Sequence, residues 1–241
     1  MRILITNDDG IDSAVLPEFI KWAMKLGEVT VVAPKYEQSG KSQAIDFRRH
    51  SEVKKIDSEL DCEIYYMDST PADCVRFAVL GLKKQFDIVF SGINKGYNLG
   101  DDISYSGTVG AICEGARLGI KGIAFSTDFT TFDYAIKYLD SAYGFINHHK
   151  LLEKTDLINV NFPTADARGI AITKQGGMFY SDEFIQLENG LYMQTGEPVQ
   201  YKGDDTSVDI HAIGNDYISI TPITSSKTDL VAYESLKNIT E

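Results

Sequence analysis

From Met1 to Pro163, short aliphatic runs alternate with stretches whose apolar residues recur every three or four positions. Ile3–Ile5, Val29–Ala33, Cys62–Met67, Phe86–Phe90, Gly122–Ser126 and Leu157–Phe162 are too short for helices and read as buried strands. Between them, Leu16, Phe19, Ile20 and Ala23 mark one helical face, and Val75, Ala78, Val79 and Leu82 mark a second. Val109, Ile112, Cys113 and Ala116 mark a third, and Ala135, Tyr138, Leu139, Ala142, Phe145 and Ile146 a fourth. Strand, helix, strand repeated in this way builds right-handed crossovers, and hence a mostly parallel sheet covered on both faces. The expectation is a Rossmann-like α/β core over residues 1–163.

Local signals support these boundaries. Ser13 is placed to cap the first helix, Pro17 to fall in its first turn and Gly27 to end it. Thr70-Pro71-Ala72-Asp73 has an N-cap, a proline at the first helical position and a carboxylate at the third. Ser106 is a natural cap for the helix that begins at Gly107. Residues 45–68 are less regular, apart from the Cys62–Met67 strand.

After residue 164 the pattern changes. Ile170–Thr173, Gly190–Met193, Val208–Ala212 and Tyr217–Thr221 read as short strands between Gly, Asn and Asp turns, and Thr228–Leu236 as an amphipathic helix. Without a linker before it, residues 164–241 are expected to be a β-rich extension and C-terminal helix of the same domain. Its hairpins are expected to reach a neighbouring subunit.

Composition narrows the partners. The 241 residues are 43% hydrophobic and 24% charged, as in ordinary globular chains. A formal net charge of −12 argues against a nucleic acid duplex as partner. No apolar run approaches the ~18 residues of a membrane span, and no signal-peptide layout precedes the first strand, so a cytoplasmic location is expected. Cys62, Cys74 and Cys113 are an odd, scattered set, as expected of free thiols in a reducing compartment. With no Cys-x-x-Cys and no ligand spacing among the four histidines, any bound metal must rest on oxygen ligands.

Asn7-Asp8-Asp9-Gly10 follows the first strand, where open α/β sheets place their ligands. Two readings stand for it: a surface turn, or a pair of carboxylates held together by a divalent cation. Gly40-Lys41-Ser42 is not a P-loop, because Lys35 stands where the first glycine is required. Ser91–Thr108 is a long loop rich in Gly and Asn that leads into a helix N-terminus, where amides can meet an anion or simply be well capped. These loops share one rim. Together they offer carboxylates, a hydroxyl, an amide oxygen and a helix start, a set suited to Mg²⁺ or Mn²⁺ beside a phosphate. That points to metal-assisted phosphoryl chemistry.

The residues that carry a family resemblance are Asn7-Asp8-Asp9-Gly10, Ala33-Pro34 with Glu37-Gln38-Ser39-Gly40, and Thr70–Val75. Ser91-Gly92-Ile93-Asn94 with Gly96 and Asn98-Leu99-Gly100, then Tyr105–Ala111, Asn159–Pro163 and Ser219–Pro222, continue it in order. Over nearly its whole length the chain resembles the SurE survival-protein family. The resemblance implies a metal-dependent phosphatase acting on nucleoside monophosphates, with short polyphosphate as a further substrate in some members. It also implies a homodimer or homotetramer formed through the C-terminal β-rich region. One divalent cation per subunit would be ligated by Asp8, Asp9, Ser39 and Asn94. Asn98 and the helix start at Ser106, Gly107 and Thr108 would hold the phosphate. The chain departs from the family pattern at Asp46 and Tyr97, which bears on substrate preference.

In the mechanism this implies, Asp8 or Asp9 accepts a proton from attacking water; an aspartyl-phosphate on Asp8 is the alternative chemistry. A non-catalytic nucleotide sensor is the alternative function. A Rossmann oxidoreductase is excluded by the missing Gly-x-Gly-x-x-Gly after the first strand. Tyr36 and Tyr97 are candidates for stacking on the base, or equally for lid or subunit contacts.

Overall fold

Strand β1 (Arg2–Thr6) sends Ile3 and Ile5 into one apolar cluster and Leu4 into another, so both of its faces are covered. The computed structural model describes residues 1–199 and 203–239. In chain order the strands are β2 (Glu28–Pro34), β3 (Val53–Ile56), β4 (Glu63–Met67), β5 (Ile88–Lys95), β6 (Lys121–Thr127) and β7 (Leu157–Asn161). They continue with β8 (Gly169–Ile172), β9 (Tyr180–Gln186), β10 (Tyr192–Pro198) and β11 (Tyr217–Ile223). The helices are α1 (Leu16–Met24), α2 (Pro71–Arg76), α3 (Gly107–Arg117), α4 (Asp133–His148), α5 (Asp209–Gly214) and α6 (Leu230–Leu236).

The main sheet has nine strands in the order β3-β4-β2-β1-β5-β6-β7-β11-β8. Strands β4 through β7 run parallel, as the alternating pattern requires. β3 closes one edge antiparallel to β4, and β11 runs antiparallel to β7 at the other, with β8 parallel to β11. Two strands from beyond residue 164 therefore extend the same sheet. Helices α1 and α4 cover one face around Phe19, Trp22, Phe90 and Phe125, whose rings lie 5.4–6.4 Å apart. Helices α2 and α3 cover the other, over Leu4, Val32, Val89 and Ala124. This is the expected Rossmann-like α/β arrangement.

Several local expectations change. Ser13 does not cap α1: Val15 holds that position with no side-chain bond, and Ser13 contributes only its carbonyl, to the Leu16 N–H. Gly27 is not a left-handed stop. A Cβ there would sit 1.9 Å from the Met1 carbonyl oxygen, so the glycine is needed for close packing against the residue that leads into β1. Thr70 and Ser106 do cap α2 and α3, accepting from Asp73 and Val109 N–H groups at 3.1 Å each. α2 then continues as a π-helical stretch, Phe77–Gly81.

Val208–Ala212 is mostly helix, not strand. Ile210 and Ile213, three apart, turn together onto Leu99, and the Asp209 carboxylate accepts from the Ile210, Gly176 and Gly100 amides. Strand β3 hides in the unperiodic segment because it is a four-residue edge strand with two lysines at its centre. Of the expected Gly190–Met193 strand only Tyr192 and Met193 are strand, opening β10, which pairs with the unforeseen β9 as a separate two-stranded hairpin; Gly190 and Leu191 belong to the turn before it.

Candidate active site

The chain crosses from one half of the sheet to the other at β1, with β2 on one side and β5 on the other. At such a switch point the loops diverge from the carboxyl ends of neighbouring strands and leave a crevice. The loops after β1, β2 and β5 meet there. Gln38 N–H donates to the Asp8 carbonyl at 2.7 Å, and Ile11 N–H to the Pro34 carbonyl at 2.8 Å. Gly10, at φ +94°, lets the chain turn with the Tyr36 and Glu37 backbone against it. Asn7 spends its side chain on this turn, donating to the Gly10 carbonyl and accepting from the Gly10 N–H. Its function is local.

Asp8 is almost wholly buried. One of its oxygens accepts from the Thr108 hydroxyl and the other from the Thr108 N–H at 3.2 Å. The carboxylate thus sits on the first turn of α3, where the helix dipole favours negative charge. Gly107 makes this approach possible, since a Cβ there would fall 2.9 Å from the Asp8 Cβ and 3.0 Å from Oδ2. Burial still pushes the Asp8 carboxyl up to about 6, with the charge of Asp9 adding and the Thr108 bonds opposing.

Asp9 accepts from the Lys95 N–H at 3.1 Å, across from β1 to β5. Burial raises its pKa as well, and the neighbouring Glu37 charge adds to this. Asn94 lies beyond a bulge in β5, where Ser91 pairs with Ala124 but Asn94 with Ser126. Gly92 is required in that bulge because a Cβ would meet the Phe125 carbonyl oxygen at 2.3 Å. Asn94 Nδ2 donates to the Gly96 carbonyl at 2.8 Å, which leaves its oxygen as the free end. Ser39 donates to Glu37 at 2.8 Å, and its oxygen keeps its lone pairs.

These residues fit a hard divalent cation. A buried and a half-buried carboxylate, Asp8 and Asp9, adjoin in sequence with no salt-bridge partner among the described residues, and both are pushed towards protonation. A cation would relieve that cost, and the donors on offer are all oxygens. No group of three His, Cys, Asp or Glu occurs among the described residues in an arrangement that holds a metal. The neutral oxygens of Ser39 and Asn94 are therefore part of the reading.

Asn98 is fixed from every side. Its N–H donates to Asn161 Oδ1, its carbonyl accepts from the Asn159 and Asn161 amides, and its Nδ2 donates to the Ser126 hydroxyl, all at 2.7–2.9 Å. The second Nδ2 hydrogen remains for a ligand. Of the α3 amides, Thr108 serves Asp8 and Val109 serves the Ser106 cap, while the Gly107 N–H has no acceptor among the described residues. The Tyr36 ring is exposed at the rim. The Tyr97 ring instead packs edge-on against Phe179 at 6.2 Å, beside Leu99 and Ile210.

Comparison with known proteins gives one answer. The model of the family "Survival protein SurE" matches residues 3–182. The chain belongs to the SurE family. A 5'-nucleotidase SurE of Clostridium beijerinckii is 35% identical over 259 aligned positions that cover 100% of both chains. Another 5'-nucleotidase SurE, of Pseudothermotoga lettingae, is 37% identical over 99% of this chain and 95% of its own. The crystal structure of the SurE protein from Aquifex aeolicus superposes with a TM-score of 0.82, at 33% identity and 98% coverage of each chain.

In this SurE chain the structure gives a place at the site to residues that had no role from the sequence. Glu37 is a third carboxylate at the rim, bonded to Ser39 and felt by Asp9. A cleft of about 430 Å³ is bounded by Gly40, Tyr105 and the hairpin residues Tyr180 and Gln194. Tyr105 was legible, lying inside a stretch that carries the family resemblance. Tyr180 was not, since the strand that carries it has no alternating pattern.

Proposed function

We propose that this chain is a divalent-cation-dependent 5'-nucleotidase, a phosphomonoesterase that cleaves nucleoside monophosphates to nucleoside and phosphate. The observation that carries this is the Asp8–Asp9 pair at the β1/β5 switch point, seated on the start of α3, in a chain that matches enzymes of this name end to end. Asp8, Asp9, Ser39 and Asn94 are the residues that would hold Mg²⁺ or Mn²⁺. Bound there, the cation supplies polarisation of a phosphoryl oxygen and acidification of water.

The chain's own groups do the rest. Asp9, next to Asp8 in the chain, is oriented by the Lys95 N–H. A carboxylate beside the cation is the group placed to accept a proton from water, and Asp8 and Asp9 are those carboxylates. Both Asp8 oxygens accept from Thr108, which favours an orienting role over an attacking nucleophile. The Gly107 N–H and the Asn98 amide are the donors for the phosphate, and preorganised donors of this kind stabilise charge that grows in the transition state. Tyr36 offers the freer ring for a base. Nothing in the site favours a sensor over an enzyme.

Exposed apolar surface supports an assembly. The β9–β10 hairpin leaves Phe184, Ile185, Leu191, Tyr192 and Met193 open, and α6 has no buried residue while Leu230, Val231, Tyr233 and Leu236 are exposed. Such surface marks a protein interface, and we assign it to a second copy of this chain. Light scattering on the purified protein is expected to give a dimer or tetramer; a monomer at all concentrations overturns this assignment.

The test of the activity is phosphate release from 5'-AMP with Mg²⁺ or Mn²⁺, with 3'-AMP and short polyphosphate run in parallel. Release is expected to vanish with EDTA and in Asp9→Asn. No release from 5'-AMP with any divalent metal refutes the reading.

A further inference from the structure

A cavity of about 730 Å³ lies against α3, on the face carrying Ser106, Val109, Gly110 and Cys113. It shares Ser106 with the helix start at the crevice, but Asp8, Asp9, Ser39, Asn94, Asn98, Gly107 and Thr108 do not line it, so this space is not the crevice described above. The opposite wall comes from Thr173–Gln175 after β8 and from the chain leaving β11 at Thr221–Ser225. Its charge is unlike that of the molecule. Lys154, Lys174 and Lys227 line it, and no Asp or Glu does, in a chain of net charge −12.

None of these lysines takes part in an ion pair among the described residues. Lys174 is within electrostatic range of Asp205 without pairing to it, and Lys227 acts on the Cys113 thiol. Asp205 and the buried Glu114 are the nearby negative groups, yet neither lines the cavity or pairs with these exposed lysines, so their positive field is open to an anion that enters it. The volume is in the range of small-molecule sites, which run from about 300 to 1,000 Å³. Without carboxylates the cavity has no place for a hard cation, so an anion would bind here without metal.

We propose that this cavity is a second, metal-independent anion site that takes a chain of linked phosphates, free or carried on a nucleoside. It reaches the crevice through one loop. Ser42 and Gln43, which line the cavity, continue the loop that carries Ser39. That loop lies directly on α3, because a Cβ on Gly110 would fall 2.1 Å from the Ser42 carbonyl oxygen. An occupant therefore presses on both the Ser39 loop and the helix that seats Asp8. The inference does not depend on the nucleotidase reading.

The test is calorimetric binding of tripolyphosphate and of the non-hydrolysable β,γ-methylene analogue of ATP to the full chain, with EDTA present throughout. At least one of the two is expected to bind, and which one does tells a free chain from a nucleoside-borne one. The Lys174→Glu/Lys227→Glu variant should bind roughly tenfold or more weakly, the loss expected when charges facing a bound anion are reversed. Asp8→Asn/Asp9→Asn should bind as the parent does. Independently of any variant's folding, the ligand should slow alkylation of Cys113, which lines the cavity, and leave Cys62, also partly exposed, unaffected. No binding in EDTA, binding insensitive to the lysine changes, or equal effects on both thiols overturns the proposal.

Discussion

Thr108 donates twice to Asp8, from its hydroxyl to one carboxylate oxygen and from its backbone N–H to the other. The helix start that invites an anion is thus already engaged, in part, by the protein's own carboxylate. The amide serves whatever side chain stands at 108, but the hydroxyl is specific. Thr108→Val should keep the shape and one bond while freeing Asp8 to rotate. Losing such an orienting partner costs roughly 10–100-fold in activity or metal affinity in comparable sites. Thr108→Ser should retain most activity. Steady-state kinetics over a metal titration will show whether the loss lies in metal affinity, and equal rates for Val and Ser would remove Thr108 from the machinery.

Asp8 sets function against stability. Its carboxyl is raised from 3.8 to about 6 by burial, so the folded state holds the proton more tightly than the unfolded chain. The sign follows from linkage: stability falls as pH rises from the unfolded towards the folded pKa, and stays reduced above it. In EDTA, Asp8→Asn should therefore be more stable than the parent at neutral pH, by about 1–3 kcal/mol. The gain should be about 1 kcal/mol larger at pH ~7.5 than at pH ~5. Adding Mg²⁺ should stabilise the parent and not the variant. Denaturant melts at the two pH values decide it, and a variant less stable than the parent at pH ~7.5 would show that burial is not what raises this carboxyl.

Gly107 is the point of closest approach between α3 and the carboxylate loop. Its backbone is not in a region that excludes alanine, and alanine is the better helix former. The obstacle is space: the added Cβ would meet Asp8 at 2.9–3.0 Å and the Gln38 carbonyl at 3.3 Å. Gly107→Ala should displace Asp8 by a fraction of an ångström and lower kcat/KM by about 100-fold, with a thermal shift of only a few degrees. Unchanged kinetics would mean that Asp8 has room to move without consequence.

The fold and the rim were legible because both follow from local signals. β1, β2, β5 and the helices between them are strong periodic segments, and strand–helix alternation leaves few topologies. Asp8, Asp9 and Thr108 could be placed on one edge for the same reason. Long-range bonds could not be read. Nothing in the spacing says that Thr108 turns to Asp8, that Asn98 is pinned by Asn159 and Asn161, or that the Gln43 amide reaches Glu114. The C-terminal part was least legible. Val208–Ala212 alternates like a strand, yet the contacts of Asp209 and Ile213 fold it as a helix. β9 has mostly exposed residues and no buried face to impose an alternation.

Glu114 shows how far such bonds extend the site. It is buried in the middle of α3, where its two oxygens accept from Arg76 at 2.9 Å and from Gln43 at 2.8 Å. Gln43 belongs to the loop that begins at Ser39, so α2, α3 and that loop are tied at one carboxylate. Removing it leaves a partly buried guanidinium without its partner, which costs about 2–3 kcal/mol when the partner retains some solvent. Glu114→Ala should show that loss in denaturant melts and should also release the loop, weakening the metal dependence through Ser39. Glu114→Gln keeps the size and an acceptor for Gln43 while giving up the charge opposite Arg76. The two effects should therefore separate: Gln lowers stability yet holds the metal concentration for half-maximal activity near that of the parent, and Ala raises it several-fold. If Ala and Gln shift that concentration equally, the pairing with Arg76 and not the grip on the loop is what Glu114 provides.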